Sequence, residues 1–205
     1  MDVVAHGLWT FVTVYILSQW NVTARYFNTT KKLIAAIIAG FGIDLLFAPQ
    51  FFYITSLTFK TGKSFNELAP GFPEWFYSLY YAHHNYFFIA LIALILYFKY
   101  REYTVPITFA LVLHVTSDIF THKNVFELKP FWPIQQEVFH GLVSWGNPVF
   151  FKLSWTLLIV SIALVLFHMQ YDNRKNMINR VKRVMINKVK KGIQTADYSK
   201  NKDKR

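Results

Sequence analysis

The stretch VPITFALVLHVTSDIFTH, residues 105–122, is apolar enough to cross a bilayer, yet it carries His114, Asp118 and His122. A hydrocarbon core takes roughly 20 helical residues. Helical residues four apart lie on one face, so these three share one side of the span. Their Cα atoms extend over roughly 12 Å, at about 1.5 Å per residue. That is too long for one ion to take all three. It suits two ions with Asp118 between them, since paired metals sit roughly 3.5–4 Å apart. A charged side chain at mid-bilayer costs on the order of 3 kcal/mol. A metal site would offset that cost; a polar network that only fixes helix packing is the competing explanation.

Four more stretches have the same apolar character: about 3–20, 33–57, 75–98 and 153–170. With 105–121 they predict an all-α fold, a polytopic transmembrane helix bundle of about five spans. Composition agrees. Hydrophobic residues make up 54% and charged ones 16%, and long stretches carry almost no charge. A soluble domain spreads charge over its surface, so lipid is the expected solvent. Trp9, Trp20, Trp75 and Tyr103 fall near span ends, as interfacial aromatics do. Pro106 is expected in the first turn of its span, where a missing N–H costs little. The N-terminus lacks a Lys/Arg segment and does not read as a cleaved signal peptide.

Lys and Arg set the orientation. Arg25, Lys31, Lys32, Lys99 and Arg101 share a side with the tail, which holds twelve more from Arg174 onward. Lys60, Lys63, Lys123, Lys129 and Lys152 fall on the other side. The positive-inside rule then predicts a cytoplasmic (inner) membrane protein with its N-terminus outside and its C-terminus in the cytoplasm. Residues 1–172 form the expected membrane domain and 173–205 a basic tail. In that tail Ile178, Val181, Met185, Val189 and Ile193 recur at helical spacing among Lys and Arg. Such an amphipathic helix suits anionic inner-leaflet lipid; a solvated charged tail that aids orientation explains the same residues. No nucleic-acid recognition motif accompanies the charge, so no specific nucleic-acid partner is expected.

Two connections are more than loops. Ser64 and Glu67 have capping-box spacing, which predicts a short helix between 60 and 73. Residues 134–144 are expected to form an interfacial or re-entrant helix on the outer side, stopped by Gly146-Asn147-Pro148. The run Gly62-Lys63-Ser64 imitates the end of a phosphate-binding loop, but Leu57 stands where that motif needs glycine.

There is no cysteine, so any metal must be held by His, Asp or Glu. With the orientation above, His6, Asp44, His83, His84, His114, Asp118, His122 and His140 all fall in the outward half. His168 alone lies at the cytoplasmic end. The candidate metal ligands are His6, Asp44, His84, His114, Asp118, His122 and His140. A lone in-span His, as His6 or His140 would be, is more often a hydrogen-bond partner than a ligand. Adjacent helical residues point about 100° apart, so one of His83 and His84 is expected to face away. Glu137 stands three residues before His140 and reads equally as a ligand, a general acid or base, or an interfacial residue.

These residues in this order resemble a bacterial and archaeal family of inner-membrane predicted metal-dependent hydrolases, some of them LexA-regulated. The resemblance covers about residues 1–145. It rests on Ala5-His6-Gly7, Ile43-Asp44, the segment from Tyr80 to Asn85 with His84, and His114 to Asp118 followed by Thr121-His122. Two family features are missing: the proline before Asp44 and an arginine before His84. The order is also similar to the zinc-dependent phospholipase C and single-strand nuclease fold. There a trinuclear zinc site ends in His-x-x-x-Glu/Asp; here Ser144 stands four residues after His140, which puts a third metal in doubt.

The resemblance implies a metal-dependent hydrolase with one or two Zn²⁺ ions, up to three if the whole set is used, acting on a phosphoester or lipid headgroup. Metal-activated water would attack, and Asp44, where not a ligand, would take the proton. The first alternative is a transporter or channel that handles protons or metal ions with the same residues. The second is a non-catalytic membrane protein.

Overall fold

A computed structural model describes residues 3–123 and 126–202; side chains are described except at 65, 66, 176, 178 and 180–202. The chain is all-helical, with 77% of residues in helix. No strand occurs among the described residues, and one antiparallel bridge joins Leu128 to Phe139. The helices are α1 Val3–Gln19, α2 Ala24–Phe27, α3 Thr30–Leu45, α4 Ala48–Thr61, α5 Phe65–Leu68, α6 Glu74–His83, α7 Tyr86–Lys99, α8 Arg101–Thr121 and α9 Pro148–Lys202. Residues 1–162 pack as one unit and 163–205 as another.

Two helices, α8 and the segment Pro148–Lys175 of α9, are each long and apolar enough to cross a membrane. The number rises to four if each of two bent pairs counts as one span. The stretches expected as spans at 33–57 and 75–98 are each a bent helix pair, which is a broken span or a re-entrant loop. The first, α1, has 17 residues and is shorter than those that qualify. A mean apolar signal reports composition and is blind to bends.

Each break has a local cause. Between α3 and α4 the axis turns by 43°. Leu46 N–H returns to Ile43 O and Phe47 N–H to Asp44 O, both at 3.0 Å, closing α3. Pro49 then lies in the first turn of α4, where no N–H is missed. Between α6 and α7 the axis turns by 48°. There Asn85 serves both helices. Its Nδ2 donates to Tyr81 O at 2.6 Å and Ala82 O at 2.7 Å, and its Oδ1 accepts from Phe88 N–H at 2.8 Å. Irregular backbone at membrane depth is tolerated where it is buried in protein or lines a cavity. Replacing Asn85 with alanine is expected to cost about 1–2 kcal/mol, the range of a lost cap. Asn85→Asp should fall between, because it can accept from Phe88 but cannot donate to the carbonyls. Thermal unfolding of the three proteins in one detergent measures the order.

α3 packs on α1 and α8, and α8 on α7. The α1–α3 approach depends on glycine. A Cβ on Gly7 would overlap the Phe41 ring, and one on Gly40 would overlap Thr10. Small residues let helix backbones come this close. The core beside the site comprises Ile43, Tyr80, Ile89, Leu111, Val115 and Leu128.

One half of the capping box is present, since Ser64 Oγ donates to Glu67 rather than accepting its N–H. Ser64 N–H and Oγ–H both donate to Glu67 Oε2 at 2.7 Å at the start of α5. The Ser64 hydroxyl and amide hold the Glu67 carboxyl below the usual carboxylate range. Two expectations are corrected. α8 begins at Arg101, so Pro106 lies inside the helix rather than in its first turn. The segment 134–144 is not helical. Its amides bond to the end of α8 instead: Gly141 N–H to His122 O, Leu142 N–H to Phe120 O and Trp145 N–H to Thr121 O, at 3.0, 2.9 and 2.9 Å. They satisfy carbonyls that a helix C-terminus leaves orphaned. The tail backbone is helical to Lys202, but the side chains of Ile178, Val181, Met185, Val189 and Ile193 lie outside those described.

Candidate metal centre

Both helix breaks and the end of α8 meet at one polar cluster. Asp44 stands in the last turn of α3, at the first break. His84 caps the C-terminus of α6, at the second. His114 and Asp118 project from α8, and His122 caps it. His6 comes from the second turn of α1. Asp118 lies three residues from the end of α8, so the cluster sits within roughly 5–10 Å of one end of that helix.

Asp118 is central. Its Oδ2 lies 3.2 Å from His114 Nε2 and 3.9 Å from His84 Nε2. Its Oδ1 lies 2.8 Å from His6 Nε2 and 3.1 Å from His122 Nδ1. Asp44 Oδ1 completes the first group, 3.6 Å from His84 Nε2 and 3.5 Å from His114 Nε2. The ligand atoms of Asp44, His84, His114 and Asp118 all lie within 4.8 Å of one another, and these four residues can hold a metal ion. Four donors about 2.0–2.2 Å from a tetrahedral ion stand roughly 3.3–3.6 Å apart. The separations here bracket that range.

Hydrogen bonds behind the cluster assign the imidazole tautomers. His114 Nδ1 is 2.8 Å from Gly40 O, which can only accept, so Nδ1 carries the proton. His84 Nδ1 is 3.2 Å from Tyr80 O and is protonated for the same reason. His83 Nδ1, 3.0 Å from His84 Nδ1, is then the acceptor of that pair. Ser117 Oγ–H donates to His114 O at 2.8 Å, so at 3.3 Å it accepts from His6 Nδ1–H. His6, His84 and His114 thus turn Nε2 toward carboxylate oxygens. A protonated ring donates Nε2–H there as an ion pair, and a neutral ring leaves an Nε2 lone pair for a metal ion between them. Oδ2 of Asp44 is buried with no hydrogen-bond partner among the described residues, and Nε2 of His6 and of His114 face carboxylate oxygens. The donor set fits a metal ion, and outer partners that fix imidazole orientation are what metal-binding histidines normally have.

The cluster brings together His6, Asp44, His84, His114, Asp118 and His122. It does not include His140. That residue is corrected to a surface pair: its Nδ1 lies 2.9 Å from Glu127 Oε2, and its side chain is 76% exposed. Once 134–144 is not a helix, the spacing of Glu137 and His140 loses its meaning; Glu137 Oε2 accepts from Gln135 Nε2 at 2.8 Å. His168 pairs with Asp172 at 3.6 Å. His83 is buried behind His84, with its Nε2 unpartnered among the described residues. Sequence reasoning missed the supports: Gly40, Ser117, Tyr80 and Asn85. Asn85 alone had a signal, as an N-cap residue directly after the paired histidines.

Fold and site together define an all-helical protein of membrane type, with a buried His/Asp cluster able to hold a metal ion. No protein-family model, curated protein or solved structure matches the chain.

Proposed function

We propose that this chain is an integral membrane hydrolase that uses Zn²⁺ at the cluster to cleave a phosphoester or a lipid headgroup bond. The carrying observation is the convergence of Asp44, His84, His114 and Asp118, whose ligand atoms all lie within 4.8 Å of one another. Asp44, His84, His114 and Asp118 Oδ2 would hold one ion. Asp118 Oδ1 and His6 Nε2 offer donors for a second, beside His122, whose Nδ1 lies 3.2 Å from Asp118 O and donates there. When bound, Zn²⁺ supplies a Lewis acid and lowers the pKa of water toward neutrality. Asp44 turns one oxygen to the imidazoles and leaves Oδ2 to take a proton from the attacking water. The bundle buries the site and limits water. The basic tail would lie on anionic lipid at the cytoplasmic face, with the N-terminus outside.

A transporter reading draws on one further observation. On the other side of the stacked His6 and His114 rings lies a cavity of about 200 Å³, bordered by Thr10, Thr13 and Ser117. Such hydroxyls can relay protons. The test uses purified protein, zinc-loaded and chelator-stripped. Expected is zinc at one or two ions per chain and zinc-dependent hydrolysis of bis(4-nitrophenyl) phosphate or a phospholipid. Zinc or proton flux in proteoliposomes without hydrolysis would select the transporter instead.

A further inference from the structure

We propose that the substrate is an amphiphile whose apolar chain lies in an aromatic cleft beside the metal cluster; this rests on the hydrolase reading above. A cavity of about 240 Å³ opens directly on Asp44, His84 and His122. Away from these three, its walls are Val3, Phe47, Phe51, Tyr80, Phe126 and Trp145. Among the described residues no Lys or Arg lines it. An alkyl chain finds aromatic faces there.

The walls are fixed. The Phe47 ring packs edge-on against Phe76, Tyr80 and Phe126, with centroids 5.7, 5.8 and 6.0 Å away. The Tyr80 hydroxyl donates to Phe126 O at 3.1 Å. The cleft is therefore preformed, as ligand pockets usually are. At roughly 30 Å³ per water-sized group, it takes about eight groups, fewer than a lipid has. A longer chain must leave it. Phe51 is 60% exposed on the rim, and Phe52 beside it is 70% exposed. The exit is thus continuous with an apolar surface that suits bilayer lipid. Trp145, which is 36% exposed on the same cavity, matches the residues that sit at a membrane–water boundary. The scissile bond of a lipid lies just below that boundary, at the depth where the cluster near the end of α8 would meet it.

The experiment measures binding and so does not depend on turnover. Zinc-loaded protein in amphipol is titrated calorimetrically with alkylphosphonates from methyl to decyl, below their aggregation concentrations. The Asp118→Ala protein corrects for nonspecific partitioning. Expected is a Kd that tightens up to about fourfold per methylene and levels off near eight carbons. Phe51→Ala, on the exposed rim, should reduce the gain per methylene. Equal affinity at all lengths with zinc retained overturns the chain cleft and leaves the hydrolase reading standing. Zinc retained with no phosphonate bound, or no zinc bound at all, overturns that reading and this one with it.

Discussion

Replacing Asp118 with alanine is expected to leave the purified protein almost free of metal, with affinity reduced by more than about 100-fold. Removing a partner behind a ligand already costs about 10–100-fold. Asp118 is itself a donor, and its two oxygens face four imidazoles at 2.8 to 3.9 Å. Without it, Asp44, His84 and His114 keep three donors of the first group, and His6 and His122 lose their shared oxygen. Asp118→Asn keeps the shape and one neutral oxygen but removes the charge, so it should retain weak binding. Asp44→Ala, at a helix break, should also lose metal and is a second route if Asp118→Ala folds poorly. His140→Ala should keep full metal, because His140 pairs with Glu127 at the surface. Metal analysis and circular dichroism of the four variants decide it. Full zinc in a folded Asp118→Ala protein would leave packing as the only role for the cluster.

The i, i+4 spacing of His114, Asp118 and His122 was readable because α8 is a regular helix through Thr121. Spacing within a helix becomes distance only when the helix is real. The same logic fails at His140, whose segment gives its amides to α8 rather than to its own carbonyls. Pro130, Pro133 and Gly141 were the local signs against a helix there. The breaks at Asp44 and His84 were not readable from apolar composition. Each is made by backbone and side-chain bonds that hydropathy does not see. They also set where the two residues stand in the cluster, Asp44 in the last turn of α3 and His84 at the C-cap of α6. The Gly40 carbonyl that orients His114 bridges residues 74 apart, a relation no local pattern encodes.

Gly40→Ala is expected to destabilise the protein by about 1–3 kcal/mol, the usual cost of overpacking a tight contact. An added Cβ would lie 2.8 Å from Thr10 Cβ, closer than side chains approach. Thr10 is β-branched, and its Cβ is fixed by the backbone of α1, so no rotamer change gives room. The helices must part or α3 must shift. Either movement carries the Gly40 carbonyl away from His114 Nδ1, now 2.8 Å distant. Zinc affinity should therefore fall by about 10–100-fold, the cost of losing a partner behind a ligand. Gly42→Ala is the control on the same helix: nothing lies within 4 Å of its added Cβ. There the gain in helix propensity, up to about 1 kcal/mol, should stabilise the protein and leave zinc unchanged. The double variant Gly40→Ala with Thr10→Gly removes the obstructing Cβ and should recover zinc affinity, a coupling that a mutant cycle measures directly. If Gly40→Ala behaves like Gly42→Ala, the α1–α3 contact is looser than described. If the double variant binds zinc no better than Gly40→Ala, Gly40 acts on His114 by some route other than its distance from Thr10.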